Sequence, residues 1–243
     1  DDPGTNRFQI PTNTTMLAQS FLVFDETTLG FALLAKGETI YLVSPDQQRV
    51  LDCLRFGGQA SGIAYGRFPD GVDGFQELTA PTPGTNNAPP MIRDVVINEI
   101  MYHPVSENAD AEYVELYNQG VAPVNVGGWR FSEGIDYAFP ADTTIPANGY
   151  LVVAKNATRL LTNYPGLNPA SVVGDFGGTL ANAGERLVLA RPESLTETNA
   201  SGVVRTNTYF VIVDEVTYAD GGKWGRWADS GGSSLELIDA RSD

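Results

Sequence analysis

Phe8-Gln-Ile-Pro-Thr-Asn-Thr-Thr-Met-Leu-Ala-Gln-Ser-Phe-Leu-Val-Phe24 is written a second time in this chain, as Tyr137-Ala-Phe-Pro-Ala-Asp-Thr-Thr-Ile-Pro-Ala-Asn-Gly-Tyr-Leu-Val-Val153. The proline, the Thr-Thr pair, the alanine and the aromatic-Leu-Val run fall in register. The likeness continues with small gaps: Gly37-Glu38 to Leu42 against Gly184-Glu185 to Leu189, Leu51-Asp52 against Val213-Asp214, and Gly66-Arg67-Phe68 against Gly225-Arg226-Trp227. Self-similarity of this length reports a repeated folding unit and outranks any single-residue motif as a guide to architecture. The chain therefore reads as at least two related units.

Composition fits that reading. The 243 residues hold one large or two ordinary domains, and 42% hydrophobic residues supply packed cores. Gly (26) and Pro (15) are plentiful, the usual sign of short strands joined by tight turns. The net charge of −15 repels phosphate backbones and anionic lipid, which argues against nucleic acid as a partner. The same acidity keeps an exported protein soluble, or holds calcium through clustered carboxylates. Cys53 stands alone, so no intrachain disulfide or cysteine metal cluster is expected. Its setting in Leu51-Asp-Cys-Leu-Arg-Phe56 predicts a cysteine that fills core volume. No apolar run has the length of a membrane span, so membrane insertion is not expected.

Strand-like runs cover Phe21–Phe24, Thr39–Val43, Val50–Phe56 and Ile63–Phe68, with a turn at Ser44-Pro45-Asp46, where proline presets φ and Asp caps the next amides. Pro81-Thr-Pro-Gly-Thr-Asn-Asn-Ala-Pro-Pro90 cannot be helix or central strand and reads as the passage between units. The division expected is a first unit over 1–87, a linker over 88–93 and a second unit over 94–243. In the second unit, strands are expected at Val95–Tyr102, Glu112–Tyr117, Val124–Val126, Trp129–Phe131, Tyr150–Ala154, Arg186–Ala190, Tyr209–Tyr218 and Ser234–Ile238. Only Ala157–Asn163 offers a helical turn or two. Short strands at this spacing make an antiparallel sandwich or barrel.

Candidate chemistry is sparse. His103, the sole histidine, sits in Tyr-His-Pro at a strand end without a neighbouring nucleophile or metal partner in sequence, and reads as structural. Glu112 and Glu115 fall on opposite faces of one strand, so they do not pair with each other, whereas Glu99 can meet one of them across a strand. Gly37-Glu38 and Gly184-Glu185 read as turn glycines followed by strand starts. Arg67 and Arg226 recur in the repeat and are expected to pair with Asp52 and Asp214. Asp70-Gly-Val-Asp-Gly74 looks like part of a calcium loop but lacks the twelfth-position glutamate. Asp1-Asp2, Glu107–Asp110 and Asp239–Asp243 add carboxylates without a ligand pattern. The sequons at Asn13, Asn156 and Asn199 carry little weight in a Thr- and Asn-rich chain. Phosphate loops, dinucleotide fingerprints and nucleophile elbows are missing from the sequence.

Ile97-Asn-Glu-Ile-Met-Tyr-His-Pro104, Glu112-Tyr-Val-Glu-Leu-Tyr-Asn118, Gly128-Trp-Arg-Phe-Ser132, Phe139-Pro140, Gly184-Glu-Arg-Leu187 and Val213-Asp-Glu-Val216 follow one another as in the lamin tail domain, which the second unit resembles in its bacterial form. The first unit matches from its Phe8-containing element through Gly66-Arg67 to Pro81-Thr-Pro-Gly84. The resemblance implies an all-β, immunoglobulin-like antiparallel β-sandwich. It also implies an exported bacterial setting, since such domains occur beside exported enzymes.

Nothing in the first unit answers to residues 94–136, and Asp1-Asp2-Pro3-Gly4 looks like the loop just after that missing part. The expectation is that the chain was cut from a longer parent, or that another chain or a swapped strand completes the first sandwich. Three functions fit these observations to different degrees. The leading one is a noncatalytic module pair, secreted or at the cell surface, acting in spacing, adhesion or recognition beside other domains of its parent, with polysaccharide or a surface protein as partner. The second is carbohydrate binding through Trp224, Trp227 and Arg226, against the alternative that Trp227, opposite Phe68 in the repeat, belongs to the core and Trp224 is the more exposed. The third is a hydrolase using paired acids, for which no motif stands.

Overall fold

The structure, a computed structural model, describes residues 7–198 and 201–239. The loop expected at Asp1–Gly4, the sequon at Asn199 and the end of the acidic run at 240–243 lie outside the described residues. Close contacts divide the chain into two units. Unit 1 is 1–91 with 193–211, and unit 2 is 92–192 with 212–243.

Unit 1 begins with a proline turn in which Thr14 donates both its N–H (3.2 Å) and its hydroxyl (2.7 Å) to the Pro11 carbonyl. A single helical turn follows, α1 (Glu26–Leu29), capped by Asp25, whose Oδ1 accepts the Thr28 N–H at 2.7 Å, and ended by Gly30 at φ +77°. The antiparallel pair β1 (Glu38–Val43) and β2 (Val50–Phe56) comes next. Asp46 closes its turn by accepting the Gln48 N–H at 3.1 Å, as Ser44-Pro45-Asp46 foretold. A short pair, β3 (Ala64–Gly66) and β4 (Gln76–Leu78), completes the regular structure, with Leu78 bridged to Pro90.

Two expectations fail in this unit. Residues 21–24 form no strand, because they have no partner ladder to hold their N–H and C=O groups. Cys53 is exposed rather than buried, and among the described residues its sheet holds two strands, β1 and β2.

Unit 2 is a β-sandwich. One sheet joins β5 (Val95–Met101), β6 (Tyr113–Asn118), β11 (Gly149–Ala154), β12 (Val172–Gly174) and β15 (Leu235–Glu236) in the order β12-β11-β6-β5-β15. The other joins β8 (Arg130–Glu133), β9 (Tyr137–Ala138), β13 (Arg186–Thr198) and β14 (Val204–Thr217) in the order β14-β13-β8-β9. A two-residue pair, β7 (Val124–Asn125) with β10 (Thr144–Ile145), closes one end. Alternation along β6 sends Val114 and Leu116 inward. They meet Ile97, Phe131, Leu151, Leu187 and Leu189 in one continuous core. The helix α2 (Ala157–Asn163) covers the outer face of β11 through Leu160, in a smaller cluster with Val152 and Ala154.

The two repeated stretches turn alike. Thr143 donates its N–H (3.3 Å) and hydroxyl (2.7 Å) to Pro140 as Thr14 does to Pro11, and Asn13 and Asp142 both stand at φ +66°. The contact division departs from chain order in one place: β13 and β14 run well past their expected ends, and their far portion, Glu193–Val211, belongs to unit 1. There the Tyr209 hydroxyl donates to the Gln59 carbonyl at 3.0 Å.

Candidate recognition surfaces

The β5–β6 register brings three glutamates into a row on the outer face of the larger sheet. Glu236 stands opposite Glu99, and Glu99 opposite Glu115. Like charges facing across strands oppose one another. Two neighbours offset this: the Tyr113 hydroxyl donates to Glu99, and the Asn98 amide donates to Glu115 at 2.8 Å. An irregularity in the register between Ile97 and Glu99 accompanies the half-buried Asn98 on this edge. Burial raises the Glu115 carboxyl above its ordinary value, with Glu99 and Glu236 adding to the rise and the Asn98 bond opposing it. Burial, then the bond to Glu99, also pushes the Tyr113 phenol up.

Glu99, Tyr113 and Glu115 line a shallow cavity of about 100 Å³ floored by Val152, Leu160 and Leu167. Beside it Tyr117 and Tyr150, paired across β6 and β11, stack at 4.7 Å between ring centroids. This face combines aromatic planes, carboxylates and an amide, groups suited to sugar hydroxyls or a cationic side chain. The alternation in Tyr113-Val-Glu-Leu-Tyr117 already put three of these side chains on one face; the cross-strand partners that complete it could not be read from one strand.

His103 lies between two carboxylates, with Nδ1 2.6 Å from Asp229 and Nε2 3.0 Å from Glu107. Both bonds hold the imidazolium above its ordinary value, Glu107 contributing most. Ser230 donates to Glu107 and not to the ring, so the ring ties the 229–230 loop to the end of β5. Glu112 is buried and accepts the Leu180 N–H at 2.9 Å, with burial raising its carboxyl. Glu112 and Glu115 do face opposite ways, and it is Glu115 that meets Glu99.

The tryptophan loop reverses the core alternative for Trp227. Trp224 packs against the core, whereas Trp227 is 64% exposed. The reason is local: Trp227 sits in a turn whose carbonyl accepts the Ser233 N–H at 3.1 Å, which leaves its ring outside. The Arg226 guanidinium lies 5.4 Å from the Trp227 ring centre, and Lys223 lies 5.2 Å from that of Trp224. Arg67 pairs with Asp52 at 3.3 Å as expected. In unit 2, Asp214 instead accepts the Ile97 N–H at 2.6 Å.

Asp70 is engaged as a loop anchor, accepting from the Asn86 amide at 2.7 Å and the Asn87 N–H at 3.1 Å. Among the described residues no three His, Cys, Asp or Glu side chains are grouped to hold a metal ion. No described helix is long and apolar enough to cross a membrane.

The sandwich, with the Asn-Glu-Ile strand β5 paired to β6 of the Glu-x-x-Glu-Leu stretch, defines the class of module. The lamin tail domain family model matches residues 88–242, and the chain belongs to that family of immunoglobulin-like, noncatalytic domains. Neither the curated proteins nor the solved structures contain a match to this chain.

Proposed function

We propose that the chain is a noncatalytic pair of tandem lamin tail modules of the bacterial type, the first incomplete, in a secreted or cell-surface protein. Its work is spacing, adhesion or recognition beside other domains of its parent. The observation that carries this reading is the engagement of its acid–base groups in the fold itself. His103 is held by two carboxylates and Glu112 by a backbone amide, while Glu99 and Glu115, which line the shallow cavity, each accept from a neutral neighbour, Tyr113 or Asn98. The shared turn at Thr14 and Thr143 supports the tandem relation.

Carbohydrate binding is the second reading, favoured by the exposed Trp227 beside Arg226 and by the stacked Tyr117–Tyr150 pair. Retention of the chain on insoluble polysaccharides and cell-wall preparations, in calcium and in chelator, tests both. Retention that survives chelator and is lost in Trp227→Ala supports the loop; loss only in Tyr150→Ala supports the sheet face. Calcium-dependent retention would assign the acidic loops a role. No retention leaves spacing or a protein partner, and hydrolysis of any of these polymers would overturn the noncatalytic reading.

A further inference from the structure

Between β14 and β15 the chain presents Arg226 and Trp227 to solvent and returns through Ala228, Asp229 and Ser230. Ala228 is buried in the core. The Trp227 carbonyl accepts the Ser233 N–H at 3.1 Å, and the returning chain runs so close that a Cβ on Gly231 would stand 2.5 Å from that same oxygen. Trp227 is therefore placed by the 229–233 turn, and whatever fastens that turn fastens the ring.

The fastening is made at the end of β5 by one residue. The His103 carbonyl accepts the Ser230 N–H at 3.2 Å, Nδ1 lies 2.6 Å from Asp229, and Nε2 lies 3.0 Å from Glu107 Oε2. Glu107 Oε1 in turn accepts the Ser230 hydroxyl. The titratable groups around the ring are Glu107 from the segment after β5, Asp229 from the β14–β15 loop, and the adjoining Tyr102, which itself feels Asp229 and Asp220. An ionised carboxylate only accepts, so the two ring bonds stand together only while both nitrogens carry hydrogen, that is, in the imidazolium. Neutral imidazole keeps one N–H and turns a lone pair toward the other carboxylate. The remaining hydrogen suits Asp229, which has no other hydrogen-bond donor among the described residues, whereas Glu107 also has Ser230. Loss of the second proton to solvent sets the Nε2 lone pair against Glu107 and so works against the Glu107–Ser230 tie.

We infer that His103 is a proton-operated latch for the Arg226–Trp227 loop: the imidazolium seats the 229–233 turn on the end of β5, and the neutral ring releases it. The latch goes beyond the recognition reading, since it needs no ligand and acts the same way on whatever partner the loop meets. A seated loop offers a preorganised aromatic surface, and a released one must be ordered again on binding. The latch is closed below about pH 6.5, because the two carboxylates hold the folded ring above its ordinary value, Glu107 contributing most. It opens as pH rises through that folded value.

NMR of the full chain from about pH 5 to about pH 9 tests this. His103 is the sole histidine, so its ring nitrogens are read without ambiguity. Both are protonated in the acid form and Nδ1 alone in the alkaline form. Through the same midpoint the protection factor of the Ser230 amide, corrected for the intrinsic rise of exchange with pH, falls by at least about threefold. Glu107→Gln separates a latch from a merely structural contact. With its oxygen still on Ser230, the new amide sets an N–H where Oε2 faced the ring, which matches the neutral tautomer. His103 then titrates at lower pH than in the native chain, and Ser230 keeps its protection to the alkaline end. In His103→Gln the step is gone. A Ser230 protection factor that stays level through the native His103 midpoint overturns the inference. So does a step of native size and midpoint in either variant.

Discussion

At Gly37-Glu38 in unit 1 and Gly184-Glu185 in unit 2 the backbone makes the same corner. Each glycine stands at positive φ, +104° and +105°, and a Cβ on either would sit 2.4 Å from a carbonyl oxygen, that of Phe56 or of Tyr218. Each glycine N–H bonds back at 3.0 Å, to Leu34 or Ala181. Each glutamate then accepts the N–H of that same residue at 2.7 Å. The strands leaving these corners nevertheless end in different surroundings, β1 largely in solvent and the start of β13 in the core. Corners depend on a few neighbouring residues, so a repeated sequence repeats them. Burial depends on the strands packed alongside, and in unit 2 β5, β6 and β8 share the core with the start of β13.

The sharpest way to break this comparison is to truncate equivalent leucines. Leu189→Ala should cost about 2–5 kcal/mol, the range for a buried leucine. Leu42→Ala should cost less than about 0.5 kcal/mol, as for an ordinary surface site. Denaturant unfolding reads both, and equal costs would break the contrast. The corners should behave in the opposite way. Gly37→Ala and Gly184→Ala each force a side chain into a left-handed position against a carbonyl, costing on the order of 1–3 kcal/mol. A large effect in unit 2 alone would show that the corners are not equivalent.

A smaller effect belongs to unit 2 and varies with pH. The folded His103 is raised above its unfolded value of 6.5. Its contribution to stability is therefore complete below about pH 6.5 and is lost as pH rises through the higher folded value. Glu107 is lowered from 4.5, first by Ser230 and then by His103, so its contribution stands above about pH 4.5 and is lost as pH falls through the lower folded value. Thermal unfolding from pH 4 to pH 9 should show the neutral-to-alkaline decline in the native chain and not in His103→Gln. The smallest effect is expected at Trp227→Ala, within about 0.5 kcal/mol of the native chain, whereas Trp224→Ala should cost several times more.

Much of unit 2 was legible in the sequence. Apolar runs marked β5, β6, β11 and the beginning of β13, and Ala157–Asn163 marked a helix, whose first turn the Asn156 side chain caps. The strands missed, β9, β10 and β12, are two or three residues long and exist through their partners. The far ends of β13 and β14, polar and without strict alternation, gave no strand signal either. The repeat equates Trp227 with Phe68 but says nothing of the turn that holds its ring outside. Cys53 and residues 21–24 were misjudged for one reason: apolar patterning reports what a segment can bury, not whether a covering strand is there. The outer sheet face was half legible, since period two fixes which side chains share a strand face but not which strands lie side by side.

Amide hydrogen exchange on the native chain tests the central claim most directly. The account predicts strong protection at Val114, Leu116 and Leu189, and exchange many orders of magnitude faster at residues 21–24. Equal protection of residues 21–24 and Leu151–Val153 would contradict it, because unit 1 would then already possess the closed core that sets unit 2 apart.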